Sequence, residues 1–247
     1  GNINKRDGIN AAASFRGSIF AGGYVQNKRG LIDGYLVKLN ERSGNIIWDI
    51  SFPSKNKNKE SAVESIIRTS DSGLLVAGVR NSEKGTLEGF KSYGNPVSGD
   101  AYVMYFSEKQ ISSQVAPEEP NWELEIIGAL SVKHLAESID GSGYVLALHA
   151  DGDPSKAKVL NISATGEIKW ELDVPEHGEL TAIAATSKGY FLSGHKMDRS
   201  GGIDASISMI SQNGRLVWNA TFGNPSSGES IFSGLDSGDR QLIYDEC

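Results

Sequence analysis

The sequence predicts an all-β fold, a β-propeller of four-stranded antiparallel blades, with about four and a half blades in this chain. Three observations carry that prediction. A tryptophan recurs with a long period, a turn glycine recurs out of phase with it, and short apolar runs of strand length lie between them without helical periodicity.

The tryptophans are Trp48, Trp122, Trp170 and Trp218, spaced 74, 48 and 48 residues apart. A period near 48 therefore runs through the chain, with about 26 extra residues ahead of Trp122. The turn glycines are Gly17, Gly73, Gly143, Gly189 and Gly238, each followed by an apolar run at 19–21, 74–77, 144–147, 190–192 and 241–244. Such runs, bounded by polar residues, read as buried strands leaving a tight hairpin. A third strand follows at 35–39, 101–105, 158–160 and 205–210, preceded by Asp33, Asp100 and Asp204 in three of the four cases. With the segment ahead of each turn glycine, such as 62–69 or 180–185, each period holds four strands. The blades are placed at about 9–53, 62–127, 134–175 and 179–222, with two strands of a fifth at 229–247. The first blade has all four strands and the last has two, so ring closure is expected to need further blades of the same chain or a protein partner.

Composition excludes several classes. The 247 residues are 38% hydrophobic and 22% charged, which is globular rather than disordered, and no run of about 18 apolar residues offers a transmembrane segment. The net charge of −7 argues against nucleic-acid binding. The single cysteine, Cys247, rules out an internal disulfide framework and a cysteine-based metal cluster.

In 39–48, Asn40 stands four residues before Gly44 and Trp48 four after it. Asn161, Gly166 and Trp170 repeat the pattern with one extra residue, and Ser211, Gly214 and Trp218 repeat it one residue shorter. This resembles the tryptophan-docking motif of quinoprotein-like propellers, and the likeness extends over the whole chain. The resemblance implies the fold and an extracellular, periplasmic or lumenal location; it leaves function open, because the family spans quinone-dependent dehydrogenases, an outer-membrane assembly lipoprotein and a lumenal stress sensor. The physical role of the motif is packing, with the indole covering the next blade and its N–H meeting a carbonyl. The related dehydrogenases use adjacent cysteines and a carboxylate-held calcium; with only Cys247 here, no cofactor and no metal are expected.

Candidates for chemistry are sparse. His149 and His195 each lie six residues after a turn glycine, where other blades carry Gly23, Val79 and Tyr244, and Asp151, Asp153 and Asp198 are near in sequence. They are ligand candidates, set against a plainer reading as polar strand ends. Asp33, Asp100 and Asp204 read as turn residues bonding local backbone rather than as an acidic catalytic ring. No catalytic residue is assigned, since no nucleophile elbow, phosphate loop or zinc-protease motif occurs. Asn161 and Asn219 begin N-glycosylation sequons expected to face solvent. Blade two departs most from the repeat. Its 80–99 loop carries Phe90 and Tyr93, and its 107–121 loop carries Glu118 and Glu119 between Pro117 and Pro120; these are the partner-binding candidates. The run Lys55-Asn56-Lys57-Asn58-Lys59 is a basic patch that reads as solvated surface.

The expectation from sequence is a non-catalytic, secreted propeller serving as a protein-binding or assembly scaffold. The alternatives are a lectin-like ligand-binding propeller and a quinoprotein-like or polysaccharide-acting enzyme. The enzyme would require a convergent polar cluster on the channel face.

Overall fold

Four of the turn glycines, Gly17, Gly73, Gly143 and Gly189, and the apolar runs after them do form strands in antiparallel meanders, and four such meanders stack face to face. The computed structural model describes residues 6–84, 87, 99–128, 130–150, 157–174, 177–197 and 202–223. The fifth-blade segment 229–247, with Cys247, lies outside them, as do Phe90 and Tyr93.

Blade one is formed by β1 (Gly8–Phe15), β2 (Ser18–Gln26), β3 (Ile32–Asn40) and β4 (Ile46–Phe52). Blade two is β5 (Glu60–Arg68), β6 (Leu74–Ser82), β7 (Asp100–Phe106) and β8 (Trp122–Ile126), with the short helix α1 (Glu108–Ser112) between its last two strands. Blade three is β9 (Leu130–Glu137), β10 (Gly143–Ala150), β11 (Ala157–Ser163) and β12 (Ile168–Val174). Blade four is β13 (Glu179–Thr186), β14 (Gly189–Met197), β15 (Ile203–Ser211) and β16 (Leu216–Phe222). In each sheet the strands pair in chain order. The first strands form the inner layer, where β1 packs on β5, β5 on β9 and β9 on β13.

The cores lie between blades, not within them. Phe20, Leu36 and Trp48 of blade one meet Val63, Val76, Tyr102 and Met104 of blade two; equivalent clusters join blade two to three and three to four. A sheet buried on both faces has no polar side to show, so β6 reads Leu74 to Val79 without alternation, and all six residues are buried.

The tryptophans dock as the motif implies. The Trp122 indole N–H donates to Ala164 O at 3.0 Å, and Trp170 does the same to Gln212 O at 3.0 Å, each reaching the turn ahead of the next blade's last strand. The glycine of that turn lies under the incoming indole: a Cβ on Gly166 would sit 2.8 Å from Trp122, and one on Gly214 2.6 Å from Trp170. Both glycines also have φ near +80°, at 85° and 77°. Gly44, in blade one, has the same turn conformation with nothing within 4 Å of its Cβ direction.

Blade two modifies this contact, and its 107–121 segment is more than the unstructured loop the sequence suggests. Ile111 of α1 is buried in the core between blades one and two, and the buried Lys38 ammonium donates to Ile111 O at 2.7 Å and Ser113 O at 2.9 Å. The Trp48 N–H donates to Ser113 O at 3.2 Å, so the insertion supplies the carbonyl that a hairpin turn supplies elsewhere.

The two kinds of glycine turn predict unequal costs. Gly44→Ala should lose about 1 to 2 kcal/mol from its positive φ, and Gly214→Ala that amount plus about 1 to 3 kcal/mol from collision with the indole. Trp170→Ala in the Gly214→Ala background should recover part of the difference. Chemical denaturation of the variants measures it; equal losses at Gly44 and Gly214 would show that the indole is not seated on the turn.

Candidate active site

All four inner strands carry a β-bulge at the same place in the repeat. Ile9 pairs with Gly23 and Ala11 with Gly22, leaving Asn10 as the extra residue; Glu64 is extra between Val63 and Ser65, Lys133 between Val132 and His134, and Thr181 between Leu180 and Ala182. A bulge re-aims the side chain of its extra residue. Here the extra residue of each blade's inner strand is polar.

Asn10, Glu64 and Lys133 form a line across blades one to three. Asn10 Nδ2 donates to Val63 O at 2.8 Å and approaches Glu64 Oε1 at 3.5 Å, and the Lys133 ammonium donates to Glu64 Oε2 at 3.3 Å. Thr181 Oγ1 lies 3.2 Å from Ser193 Oγ. Beside it, Glu179 Oε2 is 3.3 Å from His195 Nε2, and the Glu179 charge also acts on His134, the neighbour of Lys133. Exposure falls inward, since Asn10 is exposed while the Glu64 and Lys133 side chains retain only 8% and 16% of theirs. The site is thus open at blade one and closed at the Glu64–Lys133 pair.

The electrostatics follow from that burial. Desolvation holds the Glu64 carboxyl above the usual carboxylate range, outweighing the Lys133 charge and hydrogen bond that pull it down. Burial, with help from the Lys133 charge, pushes His134 down to about 4, against the pull of Glu179.

His177 is a third buried group, with Nδ1 2.5 Å from Ser206 Oγ and Nε2 2.7 Å from Ser208 Oγ. All three residues are sealed from solvent, so this serine–histidine contact braces blade four and is not a nucleophile site. Burial, then the Lys196 and His195 charges, lower the imidazole to about 4.

The sequence candidates are distributed differently. His195 enters the site through Glu179, whereas His149 sits on β10 with its backbone paired to Ser131 and Ala157. Asp151, Asp153 and Asp198 lie outside the described residues, and among those described no group of three metal-ligating side chains converges. Asp33 accepts from the side-chain amide of Asn27 at 3.1 Å, and Asp100 accepts from Gly128 N at 3.3 Å and Asn81 Nδ2 at 2.9 Å, so these bonds are not the local backbone contacts expected from sequence. Glu118 and Glu119 are exposed beyond α1. Asn161 corrects the expectation that both sequons face solvent: it is buried in β11, and its Nδ2 donates to Tyr144 O at 3.2 Å. Asn219 is exposed on β16.

Asn10, Glu64, Lys133, Thr181 and Glu179 were absent from the sequence candidates. One signal for them exists. A Cβ on Gly23, Gly78 or Gly194 would fall 2.0 to 2.1 Å from the carbonyl of Gly8, Ala62 or Glu179, so a glycine late in the second strand marks a bulge across from it.

No family model matches the chain, and no curated protein matches it. Among solved structures, a quinohemoprotein alcohol dehydrogenase from Pseudomonas putida HK5 is similar with a TM-score of 0.51 and 11% identity, over 85% of this chain and 34% of that one. This chain therefore spans about a third of the dehydrogenase. An α-L-arabinofuranosidase from Clostridium thermocellum ATCC 27405 (TM-score 0.45, 12% identity, 91% of this chain and 75% of that one) and a periplasmic gluconolactonase from Pseudomonas aeruginosa (0.43, 13%, 90% and 71%) are also similar. The chain is an all-β propeller resembling the quinoprotein-like ones. The same comparison corrects the expectation of a non-catalytic module that is no enzyme, because the solved propeller matched at a TM-score of 0.51 is an enzyme. No described helix is long and apolar enough to cross a membrane.

Buried neutral histidines make the fold sensitive to acid. His177 takes up its proton near pH 4 when folded and near 6.5 when unfolded, so its contribution is complete above pH 6.5 and lost as pH falls toward 4. The loss is on the order of 3 kcal/mol. His134 adds in the same direction, and Glu64, whose carboxyl is raised, acts in the opposite one. Melting temperature should fall between pH 7 and 4.5, and His177→Asn, which keeps one donor and one acceptor, should flatten that slope. An unchanged slope in the variant would exclude His177 as its source.

Proposed function

We propose that the protein is a hydrolase of polysaccharide-type substrates that works by acid–base catalysis on the inner strands, with Glu64 as the proton donor. The observation that supports this reading most strongly is the Glu64 carboxyl itself, raised by burial yet positioned by Lys133 and Asn10 at a bulge in an inner strand. The surroundings are amide, ammonium, hydroxyl and imidazole groups, which suit a polyhydroxylated substrate. Extracytoplasmic placement, implied by the resemblance to tryptophan-motif propellers, accords with a polymeric substrate.

In the proposed step, protonated Glu64 gives its proton to the glycosidic oxygen as the C–O bond breaks. Glu179, oriented by His195, takes the proton of the water that attacks the sugar carbon. Lys133 holds the Glu64 carboxylate left behind until a solvent proton restores it, while Glu179 releases to solvent the proton it took from the water.

Glu64→Gln keeps the shape and removes the proton. Hydrolysis across a panel of aryl glycosides should fall about 10²- to 10⁴-fold for poor leaving groups and much less for nitrophenolates, which need no protonation. Wild-type activity should decline as pH rises through the Glu64 pKa, and the variant should lack that limb. Equal loss for good and poor leaving groups, with the pH limb retained, would remove Glu64 from the acid role; wild-type inactivity across the panel and on polysaccharides would sink the reading.

A further inference from the structure

Between blades one and two, where β2 turns into β3 and the 53–59 linker leads to β5, lies a groove of about 510 Å³. Five cations line it, Lys28, Arg29, Lys55, Lys57 and Lys59, against one acid, Asp33. In a chain of net charge −7 that is a strong local reversal of sign. Three of the cations are uncompensated. Lys55 is paired with Glu125 and lies 3.9 Å from Glu123, and Lys59 is paired with Glu83. The Arg29 guanidinium donates only to the neutral Lys57 carbonyl, at 3.1 Å, and Lys28 and Lys57 have no ion pair among the described residues. Asp33 is occupied by Asn27.

The loop presenting Lys28 and Arg29 is held in place. Asn27 Oδ1 accepts from the backbone N–H of Arg29 at 2.8 Å and of Leu31 at 3.2 Å, so the positive charges are set before any ligand arrives.

We propose that this groove binds an acidic glycan, a sugar chain bearing carboxylate or sulfate groups. The cations come from two loops facing each other along a groove, which suits charges repeated along a chain better than a single phosphate. Among the described residues no aromatic side chain lines it, so they offer no platform for stacking nucleobases. Its volume suits a short run of sugars, being that of a small-ligand pocket rather than of a duplex-binding surface. The basic run at 55–59, which in sequence reads as solvated surface, is thereby half of a site whose other half is Lys28 and Arg29. Binding here is independent of the acid role of Glu64.

The test is the affinity of the whole chain for polygalacturonate and dextran sulfate, with dextran and an oligothymidylate as comparisons, across a salt series. At least one acidic glycan should bind at about 50 mM salt and weaken steeply as salt rises, while dextran should not bind. The triple variant Lys28→Gln, Arg29→Gln, Lys57→Gln changes exposed side chains only and should bind roughly ten-fold or more weakly with unchanged melting. Lys188→Gln, in the β13–β14 turn of blade four, should bind as the wild type does. Absence of binding to either acidic glycan, undiminished binding by the triple variant, or tighter binding of the oligothymidylate would each overturn the proposal.

Discussion

Everything in this fold depends on the contact between one blade's indole and the next blade's turn. A single four-stranded sheet of this sequence cannot be stable in water, because strands such as β6 and β10 are apolar on both faces and have no side to offer to solvent. Stacking supplies both faces at once. The indole sets the stacking angle, since its N–H must reach one carbonyl while its ring covers a glycine that has no side chain to hold it off. The contact runs in one direction along the chain. Among the described residues nothing lies within 4 Å of the Gly44 Cβ direction, and the Trp218 ring rests on Phe191 of its own sheet.

Rigid stacking fixes the inner strands, and this gives the bulges their significance. A bulge in an isolated hairpin would only bend it. When four inner strands are clamped by their blades, the same irregularity repeated in each sets one polar residue per blade apart from the ladder, and in blades one to three brings Asn10, Glu64 and Lys133 together. The Glu64–Lys133 pair shows that packing alone does not select the residues there. A buried ion pair contributes little net stability against apolar residues of similar volume, so stability alone does not account for its presence in the inner layer. His177 is the contrasting case, a polar group satisfied by two serines and sealed within one blade, where its role is packing.

The fold was legible because its signals are local and repeated. Turn glycines, apolar runs and tryptophans each report on a few residues, and the repeat multiplies them until the architecture is overdetermined. The site was not, because it arises from register. Glu64 and Lys133 are 69 residues apart, carry no motif, and face each other only because each is the unpaired residue of its strand. Hydrophobic patterning cannot show which residue of an inner strand is skipped; only the close glycines across from the bulges, Gly23, Gly78 and Gly194, carry a trace of it. Asn161 failed for a related reason, since a sequon reports sequence and not burial, and here its amide serves a buried carbonyl.

Net charge misleads in the same way. A chain at −7 would be expected to repel an acidic ligand, but at physiological ionic strength charges separated by more than about 8 Å are largely screened. What an approaching polymer meets is the local set of charges, and in the groove between blades one and two that set is positive because two distant segments, 27–33 and 53–59, are brought side by side by blade stacking. The packing that creates the inner polar line thus also creates the outer basic groove. Both begin around β5, whose first residue, Glu60, directly follows the basic linker and whose bulge residue, Glu64, lies four positions further along the same strand, about 13 Å away at the rise of an extended chain.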